Sequence, residues 1–162
     1  MSNINVGMGE MQISKSQGTV LIAPGLGSCI GLTMYDTRVK IAGMVHIVLP
    51  DSTNSTKNIT LLGKYADTAI PELLEKMVKM GSDKKNLIVK IAGGAQMFTL
   101  EKGCNILNIG VRNVIAVKAV LNKMNLNLTA ADTGGNKGRT FKIQVLSGSV
   151  FVKTIGEQEI EL

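Results

Sequence analysis

The chain has 162 residues, 44% of them hydrophobic and 18 of them glycine, which excludes a disordered or low-complexity polypeptide and suits one domain over residues 1–162 built on a single core. No apolar run approaches the ~20 residues of a membrane helix, and Met1 to Glu10 lacks a basic region followed by an apolar block, so a cytoplasmic protein without direct membrane insertion is expected. The formal net charge of +6 favours an acidic partner, but aromatics at 3%, no Trp, and Lys and Arg scattered apart from Lys84-Lys85 leave no stacking platform for nucleic acid.

Taken in chain order, Ile4 to Ser14 reads as a first strand, loosely alternating. Thr19 to Ala23 is a β-branched run broken by Pro24-Gly25-Leu26-Gly27-Ser28. Ile30, Leu32 and Met34 alternate with Gly31, Thr33 and Tyr35 at the strand period, Asp36-Thr37-Arg38 reads as a turn, and Ile41 to Leu49 as the next strand. After the polar stretch Ser52 to Thr60 the period lengthens. Ala66, Ile70, Leu73, Leu74, Met77 and Met80 mark a helix face that Gly81 stops, with Pro71 fitting only a first turn or a kink. Leu87 to Ala92 is a strand ending in Gly93-Gly94. Ile109 to Met124 is a second amphipathic helix with Val114, Val117, Leu121 and Met124 on its apolar face and Asn108 as N-cap. Leu126–Ala131, Phe141–Leu146 and Val150–Ile155 are β-like, the last two joined by a Ser147-Gly148 hairpin turn. Two helices and seven or eight strands, without regular βαβ alternation, predict an α+β layout of antiparallel or mixed sheets.

One histidine and two cysteines limit the chemistry. A structural zinc site requires four Cys or His ligands, so no metal is expected. No Gly-x-Ser-x-Gly elbow is present, and Gly25-Leu26-Gly27 lacks the third glycine of a dinucleotide loop because Ile30 stands there. Cys29 and His46 survive a geometric test. A hairpin folded about Thr37 or Arg38 places them directly opposite each other on one face, with Cβ atoms ~5 Å apart. A slip of one residue would put them on opposite faces. Gly25, Gly27 and Gly31 allow close approach to Cys29, and the Gly27–Ser28–Cys29 entry to the strand can aim backbone N–H groups at an oxyanion. An adjacent imidazole makes a thiol nucleophilic. The plain alternative is a buried thiol beside a core histidine in the run Met44 to Val48. Cys104, with no histidine left for it, reads as structural.

Six blocks, in order, resemble the CheD family of chemoreceptor glutamine deamidases. They are Gly25-Leu26-Gly27-Ser28-Cys29-Ile30 followed by Ala42-Gly43-Met44-Val45-His46-Ile47-Val48-Leu49-Pro50-Asp51-Ser52; Gly63-Lys64-Tyr65-Ala66-Asp67-Thr68-Ala69; Lys90-Ile91-Ala92-Gly93-Gly94-Ala95-Gln96-Met97-Phe98; Asn108-Ile109-Gly110-Val111-Arg112-Asn113; and Asp132-Thr133-Gly134-Gly135-Asn136-Lys137-Gly138-Arg139. The resemblance implies a layered α/β/β sandwich similar to the catalytic domain of cytotoxic necrotizing factor toxins. It implies hydrolysis of receptor glutamine side chains to glutamate through a Cys29 thioester, with His46 as base, ammonia released and no cofactor. The implied partners are the cytoplasmic domains of methyl-accepting chemoreceptors and the phosphatase CheC.

The family often carries a threonine six residues before the cysteine, thought to orient the histidine; here that position is Ala23. A backbone carbonyl near Ala23, Ser28 or Thr33 could take over, or activity is reduced. Gly93, Gly94 and Asn136 are candidates for a substrate rim, and Lys137 and Arg139 for contact with an acidic receptor surface. A protein that binds CheC and receptors with little catalysis is the competing reading.

Overall fold

In the computed structural model, residues 1–55, 60–97 and 108–162 are described. Their strands are β1 (Ser2–Asn5), β2 (Met11–Ser14), β3 (Thr19–Leu26), β4 (Ile30–Asp36), β5 (Ile41–Ile47), β6 (Leu87–Gly93), β7 (Leu128–Thr133), β8 (Arg139–Gln144), β9 (Val150–Thr154) and β10 (Ile160–Glu161). The α-helices among these residues are α1 (Ala66–Lys79) and α2 (Ile109–Lys123). An outer sheet runs β1-β3-β8-β9-β10 and a middle sheet β2-β5-β4-β6-β7. Both are mixed: β1 with β3 and β6 with β7 are parallel, and the other pairs antiparallel.

The period of two sorts β4 and β5 into two cores. Ile30, Leu32, Met34, Val45 and Ile47 pack with Ile70, Leu73 and Met77 of α1 and Val117 and Leu121 of α2. Cys29, Tyr35, Ala42 and Met44 face the outer sheet, where Leu21, Ala23, Leu26, Phe141 and Ile143 meet them. Every residue of β4 and β5 is buried, as a middle layer covered on both faces requires. The result is the expected α/β/β stack, with α1 and α2 as its helical layer. None of the described helices is long and apolar enough to cross a membrane.

Several boundaries differ from expectation. Ile4 to Ser14 is two strands in different sheets, because the chain turns at Gly7-Met8-Gly9, with Gly9 at φ 77. Pro24-Gly25 does not end β3; it forms an exposed irregularity between Ala23 and Leu26, after which pairing with β8 resumes at Arg139. Pro71 lies inside α1, sixth from its start, with its ring exposed. Asn108 stands at the N-cap position of α2 but makes no side-chain cap bond. β10, two exposed residues with no alternating pattern, left no signal in the sequence.

The hairpin between β4 and β5 is fixed by Asp36. Its buried carboxylate accepts from the backbone N–H groups of Arg38 (2.9 Å), Val39 (3.1 Å) and Asp83 (2.8 Å). Burial pushes this carboxyl up, but the three N–H donors and the Arg38 charge outweigh it and hold it below its ordinary value. Asp36→Ala is expected to cost roughly 2–4 kcal/mol in urea unfolding, because three donors lose a charged acceptor. The Asp36 contribution is present above the unfolded carboxyl value of about 4 and lost as pH falls through the lower folded value. Asp36→Asn should therefore flatten the acid limb of stability against pH.

Candidate active site

The same turn sets the register of the candidate pair. It spans Thr37 to Lys40, with Lys40 in the left-handed region (φ 54) and its N–H on the Asp36 carbonyl. Its centre falls between Arg38 and Val39, beyond the position expected from sequence. His46 therefore opposes Gly31, and Ile30 opposes Ile47. Cys29 is not directly opposite His46, as expected, but two residues along from its partner. A displacement of two preserves the face. Gly31, between them, points at the outer sheet, since a Cβ there would lie 2.7 Å from Phe141 Cδ1. Cys29 and His46 are thus diagonal neighbours on one side of the middle sheet, a spacing of ~7–8 Å between backbones that side chains can span.

His46 is almost fully buried. Its Nδ1 lies 3.0 Å from the Val6 carbonyl oxygen. A carbonyl only accepts, so Nδ1 carries the hydrogen and Nε2 keeps a lone pair. Nε2 is buried with no partner among the described residues. Val6 follows β1, its N–H bonds to the Ile22 carbonyl, and the parallel register places it beside Ala23. Of the three substitutes for the absent threonine, the backbone carbonyl near Ala23 is the one that touches the imidazole. Thr33 Oγ1 donates instead to Lys90 O (3.3 Å). Burial pushes the imidazole below its ordinary value, and the Val6 carbonyl and Glu10 carboxylate only partly oppose this. Burial likewise pushes the Cys29 thiol up, against the pull of its own backbone N–H. Both shifts favour the uncharged forms.

Cys29 is a free thiol, 7% exposed, at the mouth of β4. The carbonyls around it are all captured. Gly27 O accepts from Ala95 N (2.9 Å), Cys29 O from Gly94 N (2.9 Å), and Ser28 O from Asn113 Nδ2 (2.9 Å). Gly27 and Ser28 are half-buried, with Met97 packed over Gly27. Gly93 and Gly94, expected at a substrate rim, are both buried. A Cβ on Gly93 would lie 2.1 Å from Cys29 O, and one on Gly94 would lie 2.4 Å from Val114 Cγ2. Asn136 is exposed in the turn after β7.

Arg139 was expected at a partner surface, but it is buried and holds the site together. It donates to Gly93 O (3.2 Å), Gly134 O (2.8 Å) and the Asp132 carboxylate (3.1 Å). Lys137 is exposed and 3.4 Å from Glu157. Asn113 was missed; its signal was a polar residue within the buried α2 stripe Gly110, Asn113, Val117, Leu121. The Val6 carbonyl left no signal, because backbone acceptors are independent of residue type. Cys104 and Phe98 lie outside the described residues. Among those described, no group of three or more His, Cys, Asp or Glu is placed to hold a metal.

Fold and site define a three-layer α/β/β protein with a buried cysteine and histidine on one face of its middle sheet. The family model for CheD chemotactic sensory transduction matches residues 48–154. Similar full-length relatives include the probable chemoreceptor glutamine deamidase CheD of Caldanaerobacter subterraneus subsp. tengcongensis, 49% identical over 94% of this chain and 93% of the relative. Those of Clostridium botulinum strain Alaska E43 (45%, over 99% and 98%) and Lachnoclostridium phytofermentans (41%, over 96% of each) are also similar. The chain belongs to the CheD family. A solved structure, the C-terminal domain of CNFy from Yersinia pseudotuberculosis, aligns at 9% identity with TM-score 0.45, over 99% of this chain and 62% of that one.

Proposed function

We propose that this protein deamidates glutamine side chains on chemoreceptor cytoplasmic domains, with Cys29 as nucleophile and His46 as base. The relatives' names supply the reaction. The observation that supports the residues is an imidazole fixed through Nδ1, with a buried, unpartnered Nε2 on the face that Cys29 shares. In this reading His46 Nε2 takes the thiol proton as Sγ attacks the amide carbon. The Cys29 backbone N–H is proposed to receive the developing oxyanion. The imidazolium returns the proton to nitrogen, the C–N bond breaks, and ammonia leaves a thioester. Water, activated by the same Nε2, then releases glutamate and the free thiol. A narrow side chain suits a thiol only 7% exposed. CheC is proposed as a second partner, tested by co-purification with this chain.

The deciding experiment incubates the protein with a receptor cytoplasmic fragment from the same organism, following ammonia and peptide mass, beside Cys29→Ala. Conversion by the natural chain alone supports the proposal. No conversion by a folded natural chain overturns it and favours a binding protein without catalysis.

A further inference from the structure

We infer that Asn113 is a positioning residue that fixes the spacing between Cys29 and His46; this rests on the deamidase reading of the pair. The β4–β5 ladder ends at Ile30 opposite Ile47. Beyond that rung the strands carry the residues that matter: Ser28 and Cys29 on one, Val48 on the other. Past that rung the two strands no longer bond to each other: Val48 N turns to Lys64 O and Cys29 O to Gly94 N, so nothing in the ladder itself ties one to the other. The Asn113 amide enters at this point from α2. Its Nδ2 donates 2.9 Å to Ser28 O and 2.9 Å to Val48 O, using both hydrogens. One side chain thus replaces the missing rung. It bonds to the residue before Cys29 and to the residue two after His46.

Asn113 is itself fixed. It is 0% exposed. Gly110, one turn earlier, brings α2 so close that a Cβ there would lie 2.4 Å from Ala95 O and 2.6 Å from Gly94 O. The N–H groups of Gly94 and Ala95 hold Cys29 O and Gly27 O. The helix, the Cys29 strand and the His46 strand are therefore referenced to one amide. That amide is a poor choice for stability alone, since its Oδ1 is buried without a partner among the described residues. An apolar residue of the same size would fill the space without that cost but could not tie the two carbonyls.

The test compares Asn113→Leu, which keeps volume and removes both donors, with Asn113→Ser, which is smaller and keeps one. Each is made in the natural chain and in His46→Gln. Readouts are receptor deamidation, the pH dependence of Cys29 alkylation by iodoacetamide, and urea stability. Asn113→Leu should lower kcat about 10- to 100-fold with KM nearly unchanged, as misplacement of reacting groups does, and Asn113→Ser should fall between. The His46-dependent part of the alkylation profile should weaken. In the His46→Gln background the same change should have little further effect, because the residue acts through the pair. Equal losses in both backgrounds, or lost stability with an unchanged alkylation profile, would reduce Asn113 to a structural role. If the Leu variant does not fold, the Ser variant decides on the same readouts. If the natural chain converts no receptor, the deamidase reading fails, and the alkylation profile still judges Asn113.

Discussion

Gly93→Ala is expected to unfold the site and much of the middle sheet with it. The residue sits at φ 116, and a Cβ would lie 2.1 Å from Cys29 O and 3.2 Å from Cys29 C. Those are backbone atoms of the neighbouring strand, so no side chain can swing aside. Either β4 and β6 separate, losing the bond from Gly94 N to Cys29 O, or Gly93 abandons its conformation and the Arg139 bond to its carbonyl. Overpacking and backbone strain together should cost about 3–5 kcal/mol in urea unfolding. Gly134→Ala is the matched control. Its φ is 88, yet nothing lies within 4 Å of its Cβ. It should cost only the ~1–2 kcal/mol of a left-handed alanine. Equal losses for the two would mean that close approach to Cys29 is not what Gly93 supplies.

His46→Gln should lower receptor deamidation about 10³- to 10⁴-fold while leaving the chain folded, since it removes the proposed base but not the shape of the site. The natural enzyme should show its acid limb below the ordinary histidine value of about 6.5. The sign follows from burial. In the proposed mechanism a neutral Nε2 is the competent form, burial lowers the pH at which it takes a proton, and activity should therefore persist further into acid than for an exposed imidazole. A pH profile of kcat/KM measures this directly. A midpoint at or above 7 would contradict the assignment of the base.

Much of the architecture was legible because period and burial agree. β4, β5 and β6 read as strands from their apolar runs, and α1 and α2 from spacings of three and four. What escaped depends on long-range partners. The split between β1 and β2 needs the outer sheet to exist before Ser2–Asn5 has a place to pair. The face shared by Cys29 and His46 was readable from parity. Their register was not, because an Asp36 carboxylate that also reaches Asp83 sets the turn length. Arg139 read as a surface cation because charge alone says nothing of the carbonyls of Gly93 and Gly134 that surround it.

The imidazole in this chain takes its bearing from Val6 O, a main-chain atom that no substitution can delete. The orienting device is therefore insured against point mutation and exposed to a different hazard. It depends on an edge strand of four residues staying zipped to β3, as well as on the Gly9 N–H bond to His46 O. Fraying of such a strand is far easier than melting of the buried layers behind it. Catalytic competence should then be governed by a local opening equilibrium, failing in mild denaturant while the hydrophobic cores are still intact.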